Sequence, residues 1–378
     1  MECPLPFAST EDAPDERAPI IEWPDQYALE VVALDRVRST RRRDRVIEEV
    51  PIALVFNCIS HAVMLATPTD LEDFALGFSL GEGILRSPGE LLDCEPVGVP
   101  EGIEIRMTVV GWRFAELKER RRTLAGRTGC GLCGVESLKA LSRPVVPVSR
   151  TCVPRAGAVA RAVAVLPVYQ RLFRETGGGH AAAWIDADGD VQLVREDVGR
   201  HNALDKLIGA LTRRGFTPHA GFIICTSRAS YEMVQKAMSA GVGLLVAVSA
   251  PTGAAVRLAE AAGMTLVGFA RGERMSVYTH PRSILLSVQG FSMDIHNLVK
   301  MANQIGDFFG AWPDQQEACD EIASHLKRFW DPRMRARMIA HVEETDGAGL
   351  SEIVTQAIRQ LEPPESIRDS AQPPESAP

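Results

Sequence analysis

From residue 221 to 269 the chain alternates short apolar runs with amphipathic segments, and no other stretch restricts the fold as much. Gly221–Cys225, Val242–Val248 and Met264–Phe269 have strand length and are apolar throughout. Between them, Ser230–Ala240 turns Tyr231, Val234 and Met238 to one side, and Thr252–Ala262 does the same with Val256 and Ala259. Strands buried on both faces and separated by helices predict right-handed parallel β-α-β units. Such sheets bind ligands beyond the carboxyl ends of their strands. The residues expected there are Thr226-Ser227-Arg228-Ala229-Ser230, Ser249-Ala250-Pro251-Thr252 and Ala270-Arg271-Gly272-Glu273-Arg274. Hydroxyls at two helix starts and arginines on a glycine loop suit phosphate. No GxGxxG or GxxxxGK[ST] occurs, so neither a Rossmann dinucleotide site nor a P-loop is indicated.

Upstream, Arg195-Glu196-Asp197-Val198-Gly199-Arg200-His201-Asn202 precedes a segment whose apolar face is Leu204, Leu207, Ile208 and Leu211. Asn202 reads as the N-cap, with Asp205 in the first turn and Arg213, Arg214 and Gly215 closing the helix. Arginine and histidine beside exposed helix amides make an anion site. A salt-bridge knot with Glu196 and Asp197 is the structural alternative. Residues 163–173 read as helix, and Thr176-Gly-Gly-Gly-His180 leads into a strand over 181–185; the glycines fit either close approach to a ligand or a tight turn. Thr69-Asp70-Leu71-Glu72 has the pattern of a capping box before the stripe Leu71, Phe74, Ala75 and Phe78, with Gly81 and Gly83 ending the helix. Residues 27–66 read as strands interrupted by a basic connection, Arg36 to Arg45.

One loop concentrates reactive sulfur. Gly126-Arg127-Thr128-Gly129-Cys130-Gly131-Leu132-Cys133-Gly134 holds two thiols two residues apart among four glycines. Lys118, Arg120, Arg121, Arg122 and Arg127 favour thiolate, drawing a cysteine pKa from about 8.5 toward roughly 3.5–7.5. Half of a zinc site is one competing reading, but no second C-x-x-C or H-x-x-x-H exists to complete it. A thioredoxin-like exchanger is another, although its motif would follow a strand and open a helix. A purely structural pair is disfavoured by the surrounding glycines.

The 378 residues, 46% hydrophobic, suffice for two or three packed units. A net charge of −8 argues against a nucleic-acid binder. The longest apolar runs fall short of the roughly 20 residues of a membrane span, and Met1-Glu2-Cys3-Pro4 does not resemble a secretory leader. The expectation is a cytoplasmic protein whose eight cysteines are free thiols. Residues 1–20 and 362–378, rich in Pro, Asp, Glu and Ser, are expected to be disordered, and 289–361 to form a helical bundle apart from the unit at 21–288. In that bundle Asp314 with Glu317 and Asp331-Pro332 open two helices, and His296, His325 and His341 read as packing or surface residues.

Thr128-Gly-Cys-Gly-Leu-Cys-Gly-Val-Glu-Ser-Leu138, Arg195 through Lys206, Ser227-Arg-Ala-Ser-Tyr-Glu-Met-Val-Gln-Lys236 and Ser249-Ala-Pro-Thr252 resemble the formate dehydrogenase accessory sulfurtransferase family, FdhD, over about residues 27–287. The resemblance implies an α/β fold: a cytidine-deaminase-like core of parallel β-α-β units with an N-terminal β-rich part, here followed by a small all-α bundle. It implies a sulfur carrier that receives persulfide sulfur from a cysteine desulfurase. The sulfur would pass to the molybdenum or tungsten of Mo-bis(molybdopterin guanine dinucleotide), a bound substrate destined for the formate dehydrogenase catalytic subunit. Cys130 would carry the persulfide with Cys133 beside it, and Phe269, Ala270, Arg271, Gly272, Glu273 and Arg274 would hold the cofactor. The phosphates of its guanine nucleotide arms would meet Arg200, His201, Asn202, Ser227, Arg228, Ser230 and Thr252. The deaminase signature H-x-E with P-C-x-x-C is absent, and no metal site of the protein's own is expected. Residues 291–361, with Met301-Ala-Asn-Gln-Ile-Gly-Asp-Phe-Phe309 and Phe329-Trp-Asp-Pro-Arg-Met334, resemble the delta subunit of NAD-dependent formate dehydrogenases. A homodimer is expected from the general habit of soluble oligomers. Two other functions compete: an escort that only grips the cofactor, and a thiol redox switch.

Overall fold

A computed structural model of the chain describes residues 22–122, 144–286 and 295–362, apart from 35, 37, 311 and 313. The thiol pair and both termini lie outside the described residues. The first element is a hairpin of β1 (Gln26–Leu34) and β2 (Ser39–Ile47), paired antiparallel over nine positions. Most of the basic run is therefore strand β2 itself, not a connection. Its arginines are tolerated because the ribbon exposes them to solvent, where they need no partner.

A four-stranded sheet follows, ordered β4-β3-β6-β5, from β3 (Val50–Phe56), β4 (Ile59–Ala66), β5 (Leu91–Val99) and β6 (Gly102–Val109). Helix α1 (Leu71–Gly81) lays Phe74, Ala75 and Phe78 on its buried face with Ile52, Leu54, Phe56 and Ile105. The expected stripe is present, but the capping box is not. Asp70 is left-handed (φ 51°) and makes no cap hydrogen bond, because its carboxylate faces Arg195 at 3.3 Å. Helix α2 (Gly111–Arg122) closes this unit.

The central sheet is built from β7 (His180–Asp186), β8 (Val191–Asp197), β9 (Gly221–Cys225), β10 (Leu244–Ala247), β11 (Thr265–Arg271) and β12 (Arg274–Val277), in the order β12-β11-β10-β9-β7-β8. Strands β9, β10 and β11 are parallel, as their sequence pattern requires, while β7 and β12 run antiparallel to their neighbours. On one face lie α5 (Arg200–Arg213), α6 (Tyr231–Ser239) and α7 (Gly253–Ala262). On the other lies α3 (Ala156–Tyr169), whose Val159, Ala162 and Leu166 meet Ile185, Ile224 and Val246. The single helix expected over 163–173 is instead α3 plus α4 (Arg171–Thr176), separated at Gln170, whose backbone leaves the helical region (φ −91°, ψ 80°).

Four helices complete the described chain: α8 (Ile295–Phe309), α9 (Gln315–Phe329), α10 (Pro332–Thr345) and α11 (Glu352–Arg359). The caps read from sequence are in place, with Asp314 accepting from the N–H groups of Gln316 and Glu317 and Asp331 from that of Arg333. This region does not keep a core to itself. Leu298, Met301, Ile305, Ile322, Leu326 and Met338 share one apolar cluster with Ala164, Val165 and Val168 of α3.

Helices α1 and α5 approach to backbone contact. A methyl group on Gly77 would sit 1.8 Å from the Asp205 carbonyl, and one on Gly209 would sit 1.9 Å from the Asp73 carbonyl. Gly209→Ala is expected to cost about 1–3 kcal/mol or more, as overpacking does, and the midpoint of urea unfolding measures it. In the helical region, His325 is 5% exposed, and burial, with Arg174 nearby, pushes its imidazole down from 6.5 to about 4. Its folded-state pKa lies below its unfolded value, so the unfolded chain binds more protons between those values. Stability is therefore full above pH 6.5 and declines as pH falls toward 4. Urea titrations across this window should show the decline, and His325→Leu should flatten it.

Candidate functional site

The carboxyl ends of β9, β10 and β11 share one rim with the start of β7, the end of β8 and the start of α5, since β7 runs antiparallel to β9 and β8 to β7. The sequence-selected residues converge there. Thr252 N–H donates to the Ala229 carbonyl at 3.0 Å, Phe269 N–H to that of Ser249 at 3.1 Å, and Arg271 Nε to that of Val248 at 3.2 Å. These bonds join the loops after all three parallel strands. His201 Nε2 lies 3.4 Å from the Ser230 hydroxyl and 2.8 Å from the Glu232 carboxylate, joining α5 to α6.

The three helices starting at this rim differ in their free donors. Ser230 caps α6 through the Met233 N–H, and Thr252 caps α7 through the Ala255 N–H. Gly199, the N-cap of α5, has no side chain to offer, so the first amides of α5 are not capped in this way. Beside them, the His180 imidazole is held below its ordinary range by burial and by the neighbouring Arg200 charge. An arginine beside a helix start without a side-chain cap is an arrangement chemically suited to an anion.

Several expected residues act differently from their reading. Asn202 is buried rather than an N-cap, and its side-chain amide donates to Leu65 O and Asp197 Oδ1, both at 2.9 Å. Ser227 is 5% exposed and its hydroxyl donates to the Arg228 carbonyl, so it supports the loop instead of facing a ligand. Arg195 pairs with Asp73 at 2.7 Å and leaves the anion site. Phe269 to Arg274 form the end of β11 and its turn into β12, so the strand runs to Arg271 and does not give way to a loop after Phe269. Phe269 is left-handed (φ 52°) and 47% exposed, presenting its ring outward. Arg228, Arg271, Gly272 and Arg274 are exposed, Arg200 is half-buried, and Ala270 is buried.

Beneath the rim lies a fully buried pair that sequence reading did not single out. Lys206 Nζ is 2.7 Å from Asp197, both side chains at 0% exposure, and also donates to the Thr67 carbonyl at 2.9 Å. Asp197 accepts in addition from the N–H groups of Thr67 and Gly199 and from Asn202. The carboxylate thereby fixes the loop that presents Arg200 and His201.

A cleft of about 800 Å³ lies at the opposite end of the sheet, between 148–153 and 278–283. Its Arg150, His280 and Arg282 surround Glu260 and the carboxyl end of α7, where Val148 N–H bonds the Ala262 carbonyl. Cations are at home beside a helix C-terminus, which accounts for them without a ligand.

Cys94, Cys152, Cys225 and Cys319 are free thiols, whereas Cys58 is in a disulfide, contrary to the expectation of eight free cysteines. Burial pushes the thiols of Cys94 and Cys225 up to about 12 and that of Cys152 to about 11, with Cys319 raised as well. None of these four is a thiolate at neutral pH. Cys130 and Cys133 lie outside the described residues. Among the described residues, no group of three or more His, Cys, Asp or Glu is placed to hold a metal, and no helix is long and apolar enough to cross a membrane.

Residues 47–285 match the FdhD/NarQ family. The chain belongs to the FdhD/NarQ family. Among its FdhD relatives, the sulfur carrier protein FdhD of Variovorax paradoxus is 54% identical over 253 residues, 67% of this chain and 91% of that protein. The sulfur carrier protein FdhD of Cupriavidus necator is 54% identical over 241 residues, 64% of this chain and 84% of that protein. The fold is shared with a crystal structure of a candidate formate dehydrogenase accessory protein from Desulfotalea psychrophila, at a TM-score of 0.55 and 23% identity, covering 69% of this chain and all of that one. Beyond the FdhD/NarQ portion, residues 297–358 match the NADH-dependent formate dehydrogenase delta subunit FdsD.

The buried pair beneath the rim makes a direct prediction. Asp197→Ala strands the Lys206 ammonium and should cost about 3–5 kcal/mol of stability in chemical denaturation, the usual penalty for breaking a buried ion pair.

Proposed function

We propose that this chain is a sulfur carrier for formate dehydrogenase maturation and a sulfurtransferase whose intermediate is a persulfide on Cys130. The observation that carries the reading is the 54% identity to a curated sulfur carrier across 91% of that relative's length. Two physical findings support it. Burial raises the described free thiols and makes them poor nucleophiles, whereas the sequence frames Cys130 and Cys133 with glycine and flanks them with arginine, which favours thiolate. The strand-end rim gathers cations and uncapped amides suited to the phosphates of a dinucleotide substrate.

In the proposed sequence, the Cys130 thiolate attacks the terminal sulfur of a persulfide on a cysteine desulfurase, and the donor cysteine leaves as thiolate. The exchange needs no outside oxidant or reductant. Mo-bis(molybdopterin guanine dinucleotide), bound as substrate, would lay its nucleotide arms along Phe269–Arg274, Arg200, His201, Arg228, Ser230 and Thr252, with Cys133 assisting delivery of sulfur to the metal. The product would pass to the formate dehydrogenase catalytic subunit. A cytoplasmic homodimer is the setting we propose.

Incubation with a desulfurase and cysteine should add about 32 Da, one sulfur, to the peptide holding Cys130. Absence of the adduct, or its persistence on that peptide in Cys130→Ala, would overturn the carrier role. Guanosine diphosphate should bind the full chain, and Arg271→Ala should weaken it about tenfold, equivalent to 1.4 kcal/mol. Calorimetric titration reads this directly.

A further inference from the structure

We infer that the C-terminal helical region braces the β11–β12 turn of the ligand rim, and that Arg333 is a positioning residue which keeps Glu273 away from the phosphate-binding arginines. The inference deepens the proposed function and rests on its phosphate rim.

The region reaches the core at three places. On its broad side it shares an apolar cluster with α3, on the face of the sheet away from α5. Toward the β8 edge, Arg174 of α4 stacks its guanidinium 4.3 Å from the ring centre of Phe308 and 5.6 Å from that of Phe309, three residues before Gly177. Toward the β12 edge, Arg333 Nη2 lies 2.9 Å from Glu273 Oε2. The helices thus contact α4 near the β8 edge and the β11–β12 turn at the other edge, the second contact lying on the rim itself.

Glu273 occupies the turn between Arg271 and Arg274, the two cations proposed to meet phosphate. A free carboxylate at that position would neutralise one of them and repel the ligand's own charge. Arg333 prevents this by engaging the carboxylate in an ion pair of its own. Its own orientation is fixed, because Asp331, the cap of α10, binds Arg333 Nε at 3.2 Å and its backbone N–H at 2.9 Å. The Glu273 side chain is 19% exposed, whereas that of Arg333 is 66% exposed and reaches it from the solvent side.

The test uses the full chain with guanosine diphosphate as probe. Arg333→Glu should weaken binding several-fold, and adding Glu273→Gln should restore it, since the unwanted charge is then gone. A purely structural contribution of Arg333 would not be rescued in this way. Wild-type affinity in Arg333→Glu, or a double variant as weak as the single, would overturn the inference. Should Arg333→Glu fail to fold, Arg333→Gln takes its place with the same expected order. A second readout needs no ligand: trypsin should cut after Arg271 or Arg274 faster in the Arg333 variant than in wild type, and an equal rate would also overturn the inference. If wild type itself does not bind guanosine diphosphate, the nucleotide reading of the rim fails, while the trypsin rates still decide whether Arg333 holds the turn.

Discussion

The buried contact between Lys206 and Asp197 holds together parts of the chain that sequence keeps far apart. Neither charge reaches water, so each needs the other, together with the Thr67 backbone on both sides, to be tolerated in the interior. Thr67 belongs to the end of the four-stranded sheet, Asp197 to the end of β8 and Lys206 to the middle of α5. One ion pair therefore registers the N-terminal unit, the central sheet and the helix whose first turn faces the rim. Arg195 with Asp73, and Lys236 with Asp205, repeat the arrangement along the α1–α5 seam. The glycines Gly77 and Gly209 allow that seam to close.

Positioning and chemistry are divided between different side chains. Asp197, Asn202, Ser227 and Lys206 are buried and spend their polar atoms on the loops. Arg228, Arg271 and Arg274 stay exposed at the same end of the sheet. The loops of this rim are held from beneath, because their buried supports are already satisfied.

What could be read from sequence was what short-range physics decides. The parallel strands, the helix starts at Ser230 and Thr252, and the caps Asp314 and Asp331 depend on neighbours within a few residues, and all of them are found. The misreadings share an opposite cause. Asn202 and Thr69 have good capping chemistry, but a distant group claims each side chain: Asp197 and Leu65 take the first, and Lys206 donates to the hydroxyl of the second. Lys206 looks like a solvated helix charge until Asp197 and Thr67 are brought to it by the fold. The arginines of β2 disguise a strand because β-pattern reading expects apolar alternation, whereas a two-stranded ribbon in solvent needs little. The rim's location was legible from the strand-end rule, and its detailed roles were not, because they depend on contacts between loops separated by dozens of residues.

The apolar cluster shared by α3 and the last four helices has a consequence for how such a chain can be divided. Separating the two parts would strip cover from Leu298, Met301, Ile305 and Ile322 on one side and Val165 and Val168 on the other, leaving two adhesive surfaces in place of two soluble proteins. Accessory unit and delta-like unit are accordingly produced, folded and turned over as one body, at a ratio of one to one that no change in expression can alter.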